Sequence, residues 1–210
     1  MALPEDPDDN LPDPVPEDEW VSSQIIRLRP GDRSHAGTRQ EGGDFMFAEL
    51  AGVDLTAADF YWALFHNAIL ERAVMARCDL RGARLNEANL RNAHLSWANC
   101  GLDNLGGSTD FIKADLSGAD LRNASLGGAD FTGALLVGAD LSGARFACVL
   151  PGRVTRFQRA NLTDARLGRA QFAGALYDNH TIFPRGFKPG EAGMVPSERK
   201  SSATYKPRKK

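Results

Sequence analysis

Residues 111–146 place a large apolar side chain at every fifth position: Phe111, Leu116, Leu121, Leu126, Phe131, Leu136, Leu141 and Phe146. Alanine stands two residues before each of the last seven. With one extra residue between Leu105 and Phe111 and one more between Phe146 and Phe157, the register extends from Leu50 to Tyr177, and 22 of its 25 centres are Leu or Phe. This spacing excludes an amphipathic helix, because five helical residues turn through about 500° and the apolar row would drift by about 140° at every step. A flat strand fails too, since period two sends alternate centres to opposite faces. Each repeat therefore needs a corner. A short extended segment holds Ala and Leu inward, a tight turn restores the inward direction, and the backbone pairs with coils above and below at about 4.8 Å. Gly118, Asn123, Gly128, Gly133, Gly138 and Gly143 stand where such turns are predicted. The expected fold is all-β, a solenoid with Leu and Phe on its axis and Ala in its walls.

The blocks ADLSG, ADLRN, ADFTG and ANLTD resemble the pentapeptide-repeat proteins, whose pattern is A(D/N)LXX, and the resemblance covers residues 45–187. It implies a right-handed, quadrilateral β-helix with four pentapeptides per coil, a rod about 30 Å long at strand spacing. The stretch AGALYDNHTIFPRGFKP is similar to the way many bacterial members end, with the FP and GF pairs folded over the last coil. A cap is physically required there, because the final coil would otherwise expose its Leu core and an unpaired edge.

The organisation follows from composition and period. Residues 1–19 hold eight acidic residues, five prolines and no basic one, a leader expected to stay disordered because it cannot bury enough to order itself. Trp20–Leu28, the apolar cluster before the repeats, is expected to dock on the first coil, so that residues 20–44 form an N-terminal cap and connecting loop. The β-helix is assigned to 45–177, its cap to 178–189, and 190–210 to a basic, disordered tail. The N-terminus lacks the basic start and apolar core of a secretory signal, and no apolar run spans a membrane, so a cytoplasmic location is expected. Cys78 and Cys100 fall in inward slots and read as reduced core thiols.

Candidate functional positions lie outside the core. The residue before each centre points outward, and reading every twentieth one gives a column of Asp59, Asp79, Asn99, Asp120, Asp140 and Asn161. Stacked like charges repel, so the column suggests either neutralising neighbours, which Arg81 and Arg122 supply, or a function, and the structural reading is that its Asp and Asn bond to turn amides. In FYWALFHNAILERAVM, outward positions are apolar at Leu64, Ile69 and Val74, and Tyr61, Trp62 and His66 also face out. Together these predict an apolar and aromatic partner surface, unless Trp20–Leu28 covers it. Two insertions interrupt the period: GGSTD at 106–110, expected to bulge by one residue, and VLPGRVTR at 149–156, expected to protrude and present Arg153 and Arg156.

No chemistry suggests an enzyme. The four histidines are scattered, no nucleophile–base or metal-ligand spacing occurs, and a filled axis has no pocket. No cofactor is expected. The reading is a non-enzymatic protein-interaction scaffold with an unidentified protein partner. The alternative follows from resemblance to the quinolone-resistance branch, acidic rods that imitate DNA and bind gyrase. Residues 44–187 carry 15 acidic and 14 basic side chains, a balance far from a strongly negative mimic. Direct nucleic-acid binding and membrane association are not expected; the resemblance also implies that two copies can join through their C-terminal ends.

Overall fold

The computed structural model describes residues 35–103, 105–148, 150 and 152–197; the acidic leader, the Trp20–Leu28 segment and residues 198–210 lie outside the described residues. The chain winds as a parallel β-helix. Asp59 bridges Asp79, Leu64 bridges Arg84 and Ile69 bridges Asn89, each twenty residues on. With an apolar centre every fifth residue, a coil has four sides. Each rung is minimal: the Phe60 amide donates to the Asp79 carbonyl at 2.8 Å and the Asp79 amide to the Ala58 carbonyl at 3.1 Å. Corners are tight turns, as where the Ala63 amide donates to the Phe60 carbonyl at 3.0 Å. The third turn residue is left-handed, with φ 70° at Gly118 and 60° at Asn123, but also 58° at Trp62 and 63° at Trp97. A side chain there costs about 1–2 kcal/mol. The burial of Leu, Phe and Ala on either side overrides local preference.

The core follows the predicted slots. Leu and Phe from Leu50 to Phe157 and their Ala neighbours are almost wholly buried, and phenylalanines stack between coils, Phe45 on Phe65 at 4.9 Å and Phe111 on Phe131 at 5.0 Å. Leu105 is the exception: it fits the five-residue register yet is 84% exposed. The reason is the size of the insertion. Arg84 bridges Asp110, 26 residues on instead of 20, so six extra residues leave the coil near Gly101 and rejoin it at Thr109. The expected one-residue bulge at 106–110 is corrected to this larger loop. The second insertion has the same size, since Asp130 bridges Arg156 and Phe131 stacks on Phe157 at 5.2 Å.

Both ends differ from expectation. The coil begins before residue 45: Arg39 bridges Asp59 and the Gly37 amide donates to Thr56. His35 and Gln40 stand at centre positions there, beside Phe45 and Phe60, so the apolar signal is missing although the winding is present. At the other end the cap does not stop at Pro189. Strand β1, Leu176–Tyr177, pairs in parallel with β2, Val195–Pro196, and Met194 is buried against the core. Ending the chain after Pro189 is therefore expected to destabilise the rod by about 1.5–3 kcal/mol, the worth of one buried Met, whereas ending it after Ser197 removes no described contact. Equal denaturation midpoints for the two truncations would contradict this.

Candidate functional site

One edge of the rod departs from the repeat, the corner between the side bearing Asp59 and Asp79 and the side bearing Leu64 and Arg84. Regular coils turn it at Tyr61–Trp62, Arg81–Gly82 and Gly127–Gly128; both insertions leave from it, two coils apart. We term residues 101–108 the first loop and 147–154 the second. They fold over the glycine corner between them. A Cβ on Gly127 would lie 2.6 Å from the Ala147 carbonyl oxygen, and one on Gly128 would lie 2.5 Å from Leu102. Only a corner without side chains lets both loops settle on it.

The first loop is built around a carboxylate in an Ala slot. Asp103 is 3% exposed, and its Oδ1 accepts from the Leu105 amide at 2.8 Å and the Gly107 amide at 2.6 Å. Its Oδ2 accepts from Trp62 Nε1 at 2.8 Å and, more weakly, from the Tyr61 hydroxyl at 3.5 Å. Burial opposes ionisation of this carboxyl, but the Gly107 and Leu105 amides with Trp62 and Tyr61 outweigh it and hold it below the usual carboxylate range. The Tyr61 ring carries the Arg81 guanidinium at 5.3 Å, and Arg81 grips Asp79 at 2.5 Å. The aromatic pair is thus joined to the loop by hydrogen bonds, and the loop holds Leu105 in solvent. Both loops rejoin the coil through buried threonines in Ala slots, with the Thr109 hydroxyl donating to Leu80 O at 2.7 Å. Thr155 Oγ1 accepts from the Gly128 amide at 2.9 Å and lies 2.7 Å from Phe146 O, to which it donates.

Two grooves flank the first loop. One, of about 360 Å³, lies between Trp62, Arg84, Leu105, Asp110 and Arg153; the other, of about 320 Å³, separates the loops and is lined by Arg81, Leu102, Cys148 and Leu150. Arg153 reaches back across the first groove, its guanidinium over Gly106, where a Cβ would meet it at 3.2 Å.

The predicted surface residues are not all brought together. Tyr61, Trp62 and Arg153 lie on the loop edge. Arg156 belongs to the ladder, between Asp130 and Leu176, with its guanidinium 3.8 Å from Asp130. Leu64, Ile69 and Val74 sit on three successive sides, and His66 on the corner between the first two, so they do not form one apolar patch: positions five apart on a four-sided coil face different directions. The acidic column is likewise corrected. Asp59 and Asp79 share a side with Asn99, Ser125 and Arg145, while Asp120 and Asp140 lie on the preceding side with Val74, His94 and Arg166. Counting one inserted residue where there are six shifts the register by a whole side. Each of the four pairs with an arginine: Arg39, Arg81, Arg122 and Arg166 lie 3.7, 2.5, 2.7 and 3.3 Å from Asp59, Asp79, Asp120 and Asp140. Each also accepts a hydrogen bond from a turn amide two residues on. Asp103, the residue that organises the edge, was not among the sequence candidates. Its signal was present as a carboxylate in a core slot.

The thiols divide by position. Burial pushes the Cys78 thiol up to about 12 and raises Cys100 as well, whereas Cys148 is partly exposed on the second loop. A disulfide reagent at neutral pH is expected to modify Cys148 alone in the folded protein, and all three cysteines after denaturation. Fast native labelling of Cys78 or Cys100 would contradict the packing. Among the described residues no cluster of His, Cys, Asp and Glu could hold a metal, and no helix is long and apolar enough to cross a membrane.

Comparison with known proteins agrees with this winding. The pentapeptide-repeat signature matches in eight copies, over residues 58–96 and 109–147, and the gap between the two blocks contains the first loop. A search of curated proteins returns no match. Among solved structures, HetL, a pentapeptide repeat protein involved in heterocyst differentiation regulation from the cyanobacterium Nostoc sp. strain PCC 7120, is 32% identical over 66% of this chain and 70% of its own, with a TM-score of 0.29. A pentapeptide repeat protein of the cyanobacterium Cyanothece 51142 is 33% identical over 50% of this chain and 63% of its own, with a TM-score of 0.42. QnrB1, a plasmid-mediated fluoroquinolone resistance protein, is 18% identical over 80% of this chain and 88% of its own, with a TM-score of 0.33. Kinship rests on the repeats and on the identity to HetL rather than on global superposition. With its five-residue period, twenty-residue coils and eight signature repeats, the chain belongs to the pentapeptide-repeat proteins.

Proposed function

We propose that the protein is a non-enzymatic interaction scaffold of the cytoplasm, a right-handed rod whose two-loop edge receives a protein partner. One observation carries this reading: the first loop is pinned by Asp103 yet presents Leu105 with 84% of its surface exposed, beside a groove flanked by Arg84 and Arg153. Because the loop is already held in place, little ordering cost remains when a partner buries this side chain, and the flanking arginines are of a type enriched at interface hot spots. Capture from lysate on the full chain and on Leu105→Asp tests it. A protein retained by the first and lost from the second, with both folded, supports the reading; identical captures overturn it.

The gyrase-binding alternative drew on a continuous acidic column. With those carboxylates divided between two sides and each beside an arginine, the loop edge is the better supported surface. The purified protein is accordingly expected to leave gyrase supercoiling unchanged.

A further inference from the structure

The groove between Trp62 and Arg153 combines two chemistries. Arg84 and Arg153 line it, and among the described residues neither guanidinium has an ion pair. Asp110 lines it as well, its Oδ1 accepting the Ser108 hydroxyl at 3.0 Å, and the Asp103 carboxylate lies behind Trp62 and Gly107, so the attraction for an anion is local to the two guanidinium groups rather than a net positive charge of the groove. The indole of Trp62 forms its apolar wall, held in place through Nε1 by Asp103 and lying against Gly82, where a Cβ would meet it at 3.0 Å. A fixed aromatic wall beside free guanidinium groups suits an extended, proline-rich segment bearing carboxylates, since prolines pack on aromatic rings and carboxylates pair with arginine forks.

This chain carries such a segment. Residues 11–19 read LPDPVPEDE, within a leader that has eight acidic side chains and no basic one. We infer that the leader of the same molecule occupies the Trp62–Arg84–Arg153 groove, with its prolines against the indole and its carboxylates on the two arginines. Its reach is ample. Residues 20–34 can span about 50 Å when extended, whereas the groove lies two to three coils from His35, about 10–15 Å along the rod at strand spacing. Tethering favours the leader over any free acidic peptide, because a short linker supplies an effective concentration near the millimolar range, enough for two or three modest ion pairs to be occupied. The inference rests on the loop edge being the working surface and adds its regulation: a partner must displace the leader to reach the groove beside Leu105.

The native Cys148 thiol, on the second loop, allows a direct test in the full chain. A nitroxide attached there should broaden the backbone amide resonances of residues 5–19 in isotope-labelled protein at low salt. Intensity should return when ionic strength rises to about 0.5 M, where screening shortens to about 4 Å. It should also return in the Arg84→Glu, Arg153→Glu double variant. A second variant, Asp13→Asn, Glu17→Gln, Asp18→Asn and Glu19→Gln, leaves the rod untouched and should restore the same intensity. Full intensity in the unaltered chain at low salt overturns the inference. So does broadening that survives both sets of substitutions, or that appears only between labelled and unlabelled molecules in a mixed sample. Because Leu105→Asp alters neither arginine, a leader that stays off the groove leaves the scaffold reading to the capture experiment.

Discussion

Replacing Asp103 by Ala is expected to release the first loop while leaving the rod wound. The substitution removes the acceptor for the Leu105 and Gly107 amides and for Trp62 Nε1. Losing such partners costs about 2–3 kcal/mol, or roughly a thirtyfold to hundredfold rise in local opening. Coils contact mainly their neighbours, so the effect should stay near this edge. Amide exchange at Gly106 and Gly107 reports it, and unchanged protection there would show that Asp103 does not hold the loop. The same carboxylate sets an acid limit. Its folded pKa lies below the unfolded value of about 3.9, so its contribution is present above that value and is lost as pH falls through the folded pKa. The Trp62 indole N–H resonance should therefore stay constant from neutrality down to about pH 5 and shift only under stronger acid. In Asp103→Asn that titration should vanish.

Thr155→Val is expected to cause the largest loss of global stability among these substitutions. Valine matches threonine in shape, but it leaves the Gly128 amide without its acceptor and the Phe146 carbonyl without its donor, and Thr155 is fully buried. Two unmet buried groups cost about 2–5 kcal/mol. Leu126 O suffers less, since it keeps the turn bond from the Ala129 amide. Thr155→Ser retains the hydroxyl and should lose about 1 kcal/mol, the worth of a buried methyl. A denaturation midpoint for the valine variant at or above that of the serine variant would refute this role.

The residues that steer the loops were visible in the sequence as exceptions. Asp103, Thr109 and Thr155 interrupt the row of alanines, and each proves to be a polar group that satisfies backbone where the chain leaves or rejoins the coil. Their meaning was hidden because Leu105 happens to extend the five-residue register, so GLDNLGGSTD reads as one more repeat. The C-terminal EAGMVPS shows no period, and Met194 enters the core only because β2 lies beside β1.

The sequence by itself determined the solenoid, because a five-residue spacing of Leu and Phe with Ala two before them can be buried by no helix or flat sheet. The tertiary structure alone decided which outward residues share a side. That depends on how many residues each insertion removes from the coil before the next rung pairs, a long-range match of backbone partners that no local pattern encodes. Asp79 and Asp120 were therefore drawn into one column by counting and separated onto two sides by the bridges from Asn99 to Ser125 and from His94 to Asp120.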